Sequence, residues 1–241
     1  MKQQKQKRLR CVLALALALA VTGCGGSQAS GSAQEAPAGS VAEPTPEPTP
    51  TPDPRIQFPC EVDGGKLTVN SLFQSSIFNP DCSDQSGEDI ASLELVNTSD
   101  SYLEEAQFVV TLRDGTQINF AVSGVPAGQA VWAFATDNTA LPADAVCDGI
   151  ECTASYQPSP PLMEDKIAFA VSGTTITLTN LTGEDLTDLT VCCHCLLDGT
   201  IFGGRIYTYQ VGLLRANGSA TVEAMECYLG SADVVCIRAN G

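Results

Sequence analysis

The chain has 241 residues, and its charged residues are unequal in sign, with 28 Asp and Glu against 12 Lys and Arg and a formal net charge of −16. A chain this acidic repels nucleic acid, anionic lipid headgroups and anionic polymers, so these classes of partner are excluded. Basic proteins and divalent cations are compatible with it. Dispersed acidic residues also keep a protein soluble, and this simpler interpretation requires no partner.

The first 23 residues have the composition of an export signal. Five Lys and Arg residues precede an apolar run from Val12 to Val21, which is too short to cross a bilayer as a permanent helix. The run ends at Val21-Thr22-Gly23-Cys24, which resembles the lipobox of bacterial lipoproteins. The resemblance implies that residues 1–23 are a signal peptide and that a diacylglycerol on the Cys24 thiol anchors the chain to the outer face of the cell membrane. The alternative is an ordinary signal peptide cut at small residues.

Residues 24–54 are predicted to be a linker, because they contain almost no large apolar side chain. Gly, Ser and Ala dominate the first part, and Pro alternates with other residues from position 44 to position 54. We expect a flexible coil followed by a stiff polyproline-like rod about 35 Å long. Removal of the signal would leave seven Lys and Arg against 28 Asp and Glu, a formal charge of −21.

An internal repeat divides the rest of the chain into two halves, residues 55–161 and 162–241. Landmarks of the first half recur in the same order in the second, about 84 residues later. They include Asn97 and Asn180, Leu103 and Leu186, Asp114-Gly115-Thr116 and Asp198-Gly199-Thr200, Gly128 and Gly218, and Cys152 and Cys236. A Pro-rich breaker at residues 157–161 marks the boundary. We therefore predict two separate domains.

Both halves have the alternating pattern of short strands. In the first half, Ala106, Phe108, Val110 and Leu112 alternate with other residues, and Asp114-Gly115 then predicts a hairpin. In the second half, Leu189, Val191, Cys193 and Cys195 repeat this strand. No stretch keeps a helical period for long, although residues 140–146 are compatible with one turn. Short strands separated by Gly, Pro, Asn and Asp predict an all-β fold made of two antiparallel sandwiches.

The spacing of these residues is similar to that of the FxLYD-type Ig-like module, in which an Asn ends a strand, a Leu follows six residues later, and an alternating strand leads to an Asp before a hairpin. The matching positions are Asn97, Leu103, Ala106, Phe108, Val110, Leu112 and Asp114, and then Asn180, Leu186, Leu189, Val191, Cys193 and Cys195. Asp198 arrives one residue late, which suggests a bulge. The resemblance implies tandem Ig-like domains of the kind found in uncharacterised lipoproteins of Gram-positive gut bacteria. It implies no catalytic or ligand-binding residue, because the pattern is one of packing.

The first half contains four cysteines, which permit three pairings. We expect Cys147–Cys152 to close a short turn and Cys60–Cys82 to attach the N-terminal arm to the following loop, because disulfides persist in exported domains. The rival pairing is Cys82–Cys152. Spacing alone does not decide between them.

The second half contains Cys192, Cys193, Cys195, Cys227 and Cys236, an odd number, so at least one thiol is free or pairs outside this half. We expect one disulfide, either Cys227–Cys236 or a bridge across the sheet. The remaining cysteines are then core thiols.

Cys192-Cys193-His194-Cys195 also suggests a thiol-redox or metal-binding site. Redox C-x-x-C motifs begin a helix, whereas Leu196-Leu197-Asp198-Gly199 predicts a strand and a turn. In a strand, Cys193 and Cys195 face one way and Cys192 and His194 the other, so the four cannot surround one ion. The remaining zinc hypothesis is a site formed by Cys193, Cys195, Cys227 and Cys236. We expect His194 to be a surface residue whose replacement changes stability by no more than about 0.5 kcal/mol.

Other functional motifs are weak. The chain has one histidine and no hydrolase elbow, zinc-protease helix or phosphate-binding glycine loop, so we expect no enzyme and no cofactor. Acidic residues cluster in the loop at 81–89 without the spacing of a calcium loop, and this loop stays undecided between calcium binding and simple solvation. Trp132 is expected to pack on the first core rather than to form an exposed platform.

The function favoured by the sequence is that of a membrane-anchored lipoprotein in the cell envelope. Its Ig-like modules would contact a protein or glycan, or act as a spacer, without catalysis. The alternative is a thiol-redox or metal-binding lipoprotein that uses Cys192–Cys195. A solute-binding lipoprotein would need a larger α/β body with a cleft.

Overall fold

A computed structural model of the protein describes residues 55–82 and 85–239. The predicted signal peptide, Cys24 and the linker to residue 54 lie outside the described residues. The described part is almost entirely strand, which confirms the all-β prediction. Its helical segments are two short 3₁₀ turns, Asp63–Gly65 and Met225–Cys227, and within the described ranges no helix has the length and apolarity needed to cross a membrane.

Seven strands belong to each half of the described chain. The first half contains β1 (Cys60–Val62), β2 (Leu67–Asn79), β3 (Gln85–Asn97), β4 (Tyr102–Leu112), β5 (Gln117–Val125), β6 (Ala130–Phe134) and β7 (Cys147–Gln157). The second half contains β8 (Ile167–Ser172), β9 (Thr175–Asn180), β10 (Leu186–Leu197), β11 (Thr200–Phe202), β12 (Tyr207–Leu214), β13 (Ser219–Glu223) and β14 (Ser231–Ala239).

The alternation in the sequence specifies the buried faces of β4 and β5 correctly. Phe108 and Val110 of β4 are buried opposite Phe120 and Ile118 of β5, as the period of two requires. The main core of the first half lies between these strands and the facing side chains of β2, β3 and β6. Trp132 is half-buried and packs against this core, as expected. A second core fills the other half and includes Ile176, Leu178, Leu189 and Val191.

The two halves have the same strand order. In the first half the strands pair in the orders β2–β3–β6 and β5–β4–β7. In the second half they pair in the corresponding orders β8–β9–β13 and β12–β10–β14. These pairs are antiparallel. The internal repeat inferred from sequence landmarks is therefore a repeat of topology. The Ig-like identity of each half stays a prediction.

The two halves are not separate sandwiches, contrary to the expectation from the sequence. β11 pairs with β10 and also, in parallel, with β6 of the first half, where Ile201 lies opposite Val131 and Phe202 opposite Trp132. This contact merges two sheets into one sheet of eight strands that crosses the boundary near residue 161. The short β11 was not foreseen, because three residues after a turn carry too little pattern to define a strand.

A buried Asn supports each half in the same way. The Asn97 Nδ2 donates to the carbonyl oxygens of Ser101 and Val125, while its Oδ1 accepts from the Ser99 backbone N–H and hydroxyl. Asn180 repeats this arrangement with the carbonyls of Glu184 and Leu214 and with Thr182. Each amide therefore fixes the turn after its own strand and connects it to a strand of the facing sheet.

Candidate functional site

The described surface has an apolar groove where the two halves meet. Its volume is about 410 Å³. It lies between the end of β2, the β10–β11 hairpin and the segment that follows β13. The residues that line it are Ile77, Phe78, Pro80, Cys195, Leu196, Leu197, Phe202, Tyr207, Met225, Glu226, Cys227, Tyr228, Leu229 and Gly230.

A disulfide holds one wall of the groove in place. Cys195 of β10 is bonded to Cys227, with 4.8 Å between their Cα atoms, and Cys227 is fully buried. The backbone of Gly230 packs directly against the backbone of β10, since a Cβ at this position would come within 1.8 Å of the Leu196 carbonyl oxygen. Only glycine permits so close an approach between backbones. The bond and the glycine together fix the segment from Met225 to Gly230 against β10.

Large apolar side chains are exposed around this groove. The exposed fractions are 69% for Met225, 66% for Tyr228, 55% for Leu229 and 44% for Phe78. Clustered exposed apolar groups of this kind are typical of interaction surfaces. These residues were not predicted from the sequence. The available signal was an apolar stretch, Met225-Glu226-Cys227-Tyr228-Leu229, placed between two strands and ended by glycine.

The polar groups of the groove are few. The Tyr209 hydroxyl donates a hydrogen bond to the Glu226 carboxylate. Burial and this bond raise the pKa of Tyr209 well above its ordinary value. The lining sulfurs of Cys195 and Cys227 are joined in the disulfide and are not available as nucleophiles. This lining can bind apolar side chains and place one carboxylate beside them.

His194 lies beneath the junction of the two halves and is fully buried. Its Nε2 is 2.8 Å from the Ser123 carbonyl oxygen and 3.2 Å from that of Gly124, so this nitrogen carries the proton and donates. Nδ1 has no hydrogen-bond partner among the described residues. Burial lowers the pKa of His194 to about 4. The expectation of a surface histidine was therefore wrong, because β5 of the other half covers this face of β10.

Asp81 joins the halves at a second point. Its carboxylate accepts hydrogen bonds from the backbone N–H groups of Phe134, Gly204 and Arg205 at 2.8–3.2 Å. Burial raises the pKa of Asp81 to about 6, although the N–H donors act in the opposite direction. Asp81 is thus a structural acceptor, and the loop at 81–89 cannot offer it freely to calcium. Residues 83 and 84 lie outside the described part, and the described residues contain no cluster of three metal-binding side chains.

The cysteine pairs expected in the first half are not formed. Cys147 and Cys152 lie on one extended strand, β7, about 16 Å apart. Cys60 pairs in register with Val69, whereas Cys82 follows Asn79 at the other end of β2, about 33 Å along the strand. The rival partners Cys82 and Cys152 are both unbonded as well. The spacing in the sequence did not reveal how long and straight β2 and β7 are.

The pairing expected in the second half is also wrong, since Cys227 bonds to Cys195 and leaves Cys236 unbonded. The alternative was a bridge across the sheet. The observed Cys195–Cys227 bond instead joins β10 to the 3₁₀ turn beside it. Because Cys195 and Cys227 are joined in this disulfide, they are not available as zinc ligands. For the same reason Cys195 is not available to form a redox pair with Cys192. Cys192 also lies in a different buried cluster from Cys193 and Cys195.

Comparison with known proteins adds no relative. No protein-family model matches the chain, and no curated protein matches it significantly. The resemblance to the FxLYD-type module therefore rests on the short patterns given above.

Proposed function

We propose that this protein is a lipid-anchored lipoprotein of the cell envelope whose β-rich body is a non-enzymatic module that binds a protein partner. The proposed anchor is the lipid on Cys24, which follows an apolar export signal and precedes a Pro-rich tether. The proposed binding surface is the apolar groove between the two halves.

The exposure of Met225, Tyr228 and Leu229 carries the proposal of a binding surface. Apolar side chains of this size stabilise a protein by being buried, and here they surround a groove in a segment fixed by a disulfide. A rigid apolar surface binds with little loss of conformational entropy. The groove lacks the many hydrogen-bonding groups by which glycans are recognised, which favours a protein segment over a glycan.

The charge of the chain indicates the chemistry of the partner segment. Glu226 lies in the lining of the groove, and the chain without its signal would have a formal charge of −21. A segment that places apolar side chains in the groove and Lys or Arg beside them would therefore be attracted over a distance and then held by contact.

The test is site-specific photocrosslinking on intact cells that produce the full chain. A photoreactive amino acid at Leu229 should crosslink to a discrete envelope protein. The same amino acid at Leu213 is the matched control, because Leu213 is also an exposed leucine and does not line the groove. Mass spectrometry identifies the captured protein.

The captured protein must then be purified and its affinity measured. Replacement of Met225 and Leu229 by Ser should weaken binding at least tenfold, whereas Leu213→Ser should leave it unchanged. Equal crosslinking at both positions, or equal affinity of all variants, would show that the groove is not the binding surface.

A further inference from the structure

Cys192 and Cys236 face each other across two antiparallel strands in the part of the molecule where the halves meet. Cys192 of β10 is directly opposite Cys236 of β14 in the register. Directly opposite residues of an antiparallel pair have Cα atoms about 4.5 or 5.5 Å apart, and disulfides form at about 4.4–6.8 Å. The position of the two residues in the sheet therefore suits a covalent bond.

A β-bulge turns Cys236 toward Cys192. The register shifts between Cys192 and Cys193, so that Cys192 pairs with Cys236, Cys193 pairs with Val234, and Val235 is the extra residue. Without the extra residue, Cys236 would share a face with Val234. With it, Cys236 leaves the core of the second half and joins Cys192 and Tyr102 in a small buried cluster.

We propose that Cys192 and Cys236 form a second disulfide, which joins β10 to β14 on the face of the sheet opposite Cys193. Cys195–Cys227 fixes the groove segment to β10 from one face, and the proposed bond would fix β14 to the same strand from the other. It is separate from the groove and from the partner proposed for it.

The two sulfurs have different surroundings in the folded chain. The Cys236 thiol hydrogen-bonds to the Cys192 sulfur, and the Arg238 guanidinium lies 4.0 Å from the same sulfur. The contact with Cys236 and the nearby Arg238 lower the pKa of Cys192, whereas the contact with Cys192 and burial raise the pKa of Cys236. Both Cys236 and Arg238 belong to β14, so this preference holds only once β14 has docked, and before that either cysteine can be the attacking thiolate.

The oxidant is a disulfide of an exchange partner. The thiolate of one cysteine of the pair attacks one sulfur of this disulfide, which forms a mixed disulfide and releases the other sulfur as a thiolate. The second cysteine loses its proton to solvent and attacks the protein sulfur of the mixed disulfide, which forms Cys192–Cys236 and releases the second thiolate. Two protein thiols are oxidised and one external disulfide is reduced to two thiols. Both residues are buried in the folded chain, so the reaction takes place before β14 docks.

The test is peptide mapping of the full chain after reduced, unfolded protein has refolded with oxidised glutathione. Free thiols are alkylated, and cleavage at Arg215, Arg238 and before Asp233 then places Cys227 and Cys236 on different peptides. We expect the β10 peptide joined to both of them. Recovery of alkylated Cys236 while Cys227 is bonded would overturn the proposal. The reaction contains its own oxidant, so its outcome does not depend on the proposed location of the protein.

Variants then identify the partner of Cys236 on β10. In a Cys195→Ser, Cys227→Ser background, the link from the β10 peptide to the Cys236 peptide should persist. Adding Cys192→Ser should abolish the link, whereas adding the matched control Cys193→Ser should preserve it. Loss of the link with Cys193→Ser and its retention with Cys192→Ser would assign Cys236 to Cys193 and overturn the proposal. If these variants fold poorly, mapping of the wild-type chain still decides whether Cys236 is bonded to β10, and an unbonded Cys236 there would overturn the proposal.

Discussion

The two ring nitrogens of His194 have different surroundings, and this difference defines its effect on stability. Nε2 donates to two carbonyl groups of β5, whereas Nδ1 is buried without a partner among the described residues. Protonation of Nδ1 would place a charge inside the junction of the two halves. The neutral ring is therefore the form that the folded chain favours.

We predict that His194 makes the protein sensitive to acid. The pKa of His194 falls from 6.5 to about 4 on folding, so the stability it contributes is complete above pH 6.5 and is lost as pH falls toward 4. His194→Gln keeps a donor for the carbonyls and cannot titrate. Between pH 7.5 and pH 4.5, wild type should lose about 2 kcal/mol more unfolding free energy than the variant.

Urea unfolding followed by Trp132 fluorescence measures this difference. Asp81 titrates in the same range in both proteins, so comparison of the two isolates the imidazole. Parallel losses in wild type and His194→Gln would contradict the prediction. At pH 7.5, His194→Ala should cost about 2–3 kcal/mol, because it leaves the carbonyls of Ser123 and Gly124 without their donor.

At the same scale, we predict that Cys24→Ala releases the protein from the membrane fraction, because two acyl chains on this thiol are its proposed anchor. Cell fractionation with a high-salt wash, followed by immunoblotting, measures the release. Cys11→Ala is the control, since Cys11 lies within the predicted signal peptide and should not affect anchoring. A Cys24→Ala protein that stays with washed membranes would argue against the lipoprotein proposal.

At the scale of the elements, one buried amide in each half connects a strand to the facing sheet. Asn97 and Asn180 have equivalent sets of partners, so equivalent substitutions should have equivalent effects. We predict that Asn97→Ala and Asn180→Ala each lower the unfolding free energy by about 2–3 kcal/mol, because buried carbonyls lose their donor.

Aspartate at the same positions separates the two roles of the amide. Asn→Asp keeps the oxygen that accepts from Ser99 or Thr182 and removes the donor to the carbonyls, so it should destabilise at least as much as Ala. Denaturant titrations of the four variants give the comparison. A large effect at Asn97 with none at Asn180 would show that the repeated contacts are not energetically equivalent.

At the scale of the whole molecule, contacts at several points join the halves. β6 pairs with β11, His194 contacts β5, and the Asp81 carboxylate accepts from Gly204 and Arg205. We therefore predict that the halves unfold in one cooperative transition. Trp132 fluorescence, which reports on the first half, and alkylation of the buried Cys193 thiol, which reports on the second, should have the same midpoint.

Asp81→Ala tests the contribution of the carboxylate to this cooperativity. It leaves buried N–H groups of both halves without an acceptor, so we expect a loss of about 3 kcal/mol and separation of the two midpoints. Asp114→Ala is the matched control, because Asp114 also accepts from a backbone N–H but only within its own hairpin. Separate midpoints in the wild-type chain would contradict the prediction.

The sequence by itself determined the features that depend on near neighbours along the chain. Phe108 and Val191 were predicted to face a core because side chains alternate with a period of two, and both are buried. Asp198-Gly199 was predicted to turn because these residues accept positive φ, and both have it in the structure. Asn97 and Asn180 were recognised as equivalent, although their partners were not foreseen.

Only the tertiary structure decided what covers each face. Alternation indicated that His194 lies opposite Cys193, but the burial of His194 depends on β5, about 70 residues away. The disulfide partner of Cys195 lies in a 3₁₀ turn, and the residue opposite Cys192 in the sheet depends on one extra residue, Val235, in β14. The physical reason is that a local pattern specifies the direction of a side chain, whereas its partner depends on register and on loops that bring distant strands together.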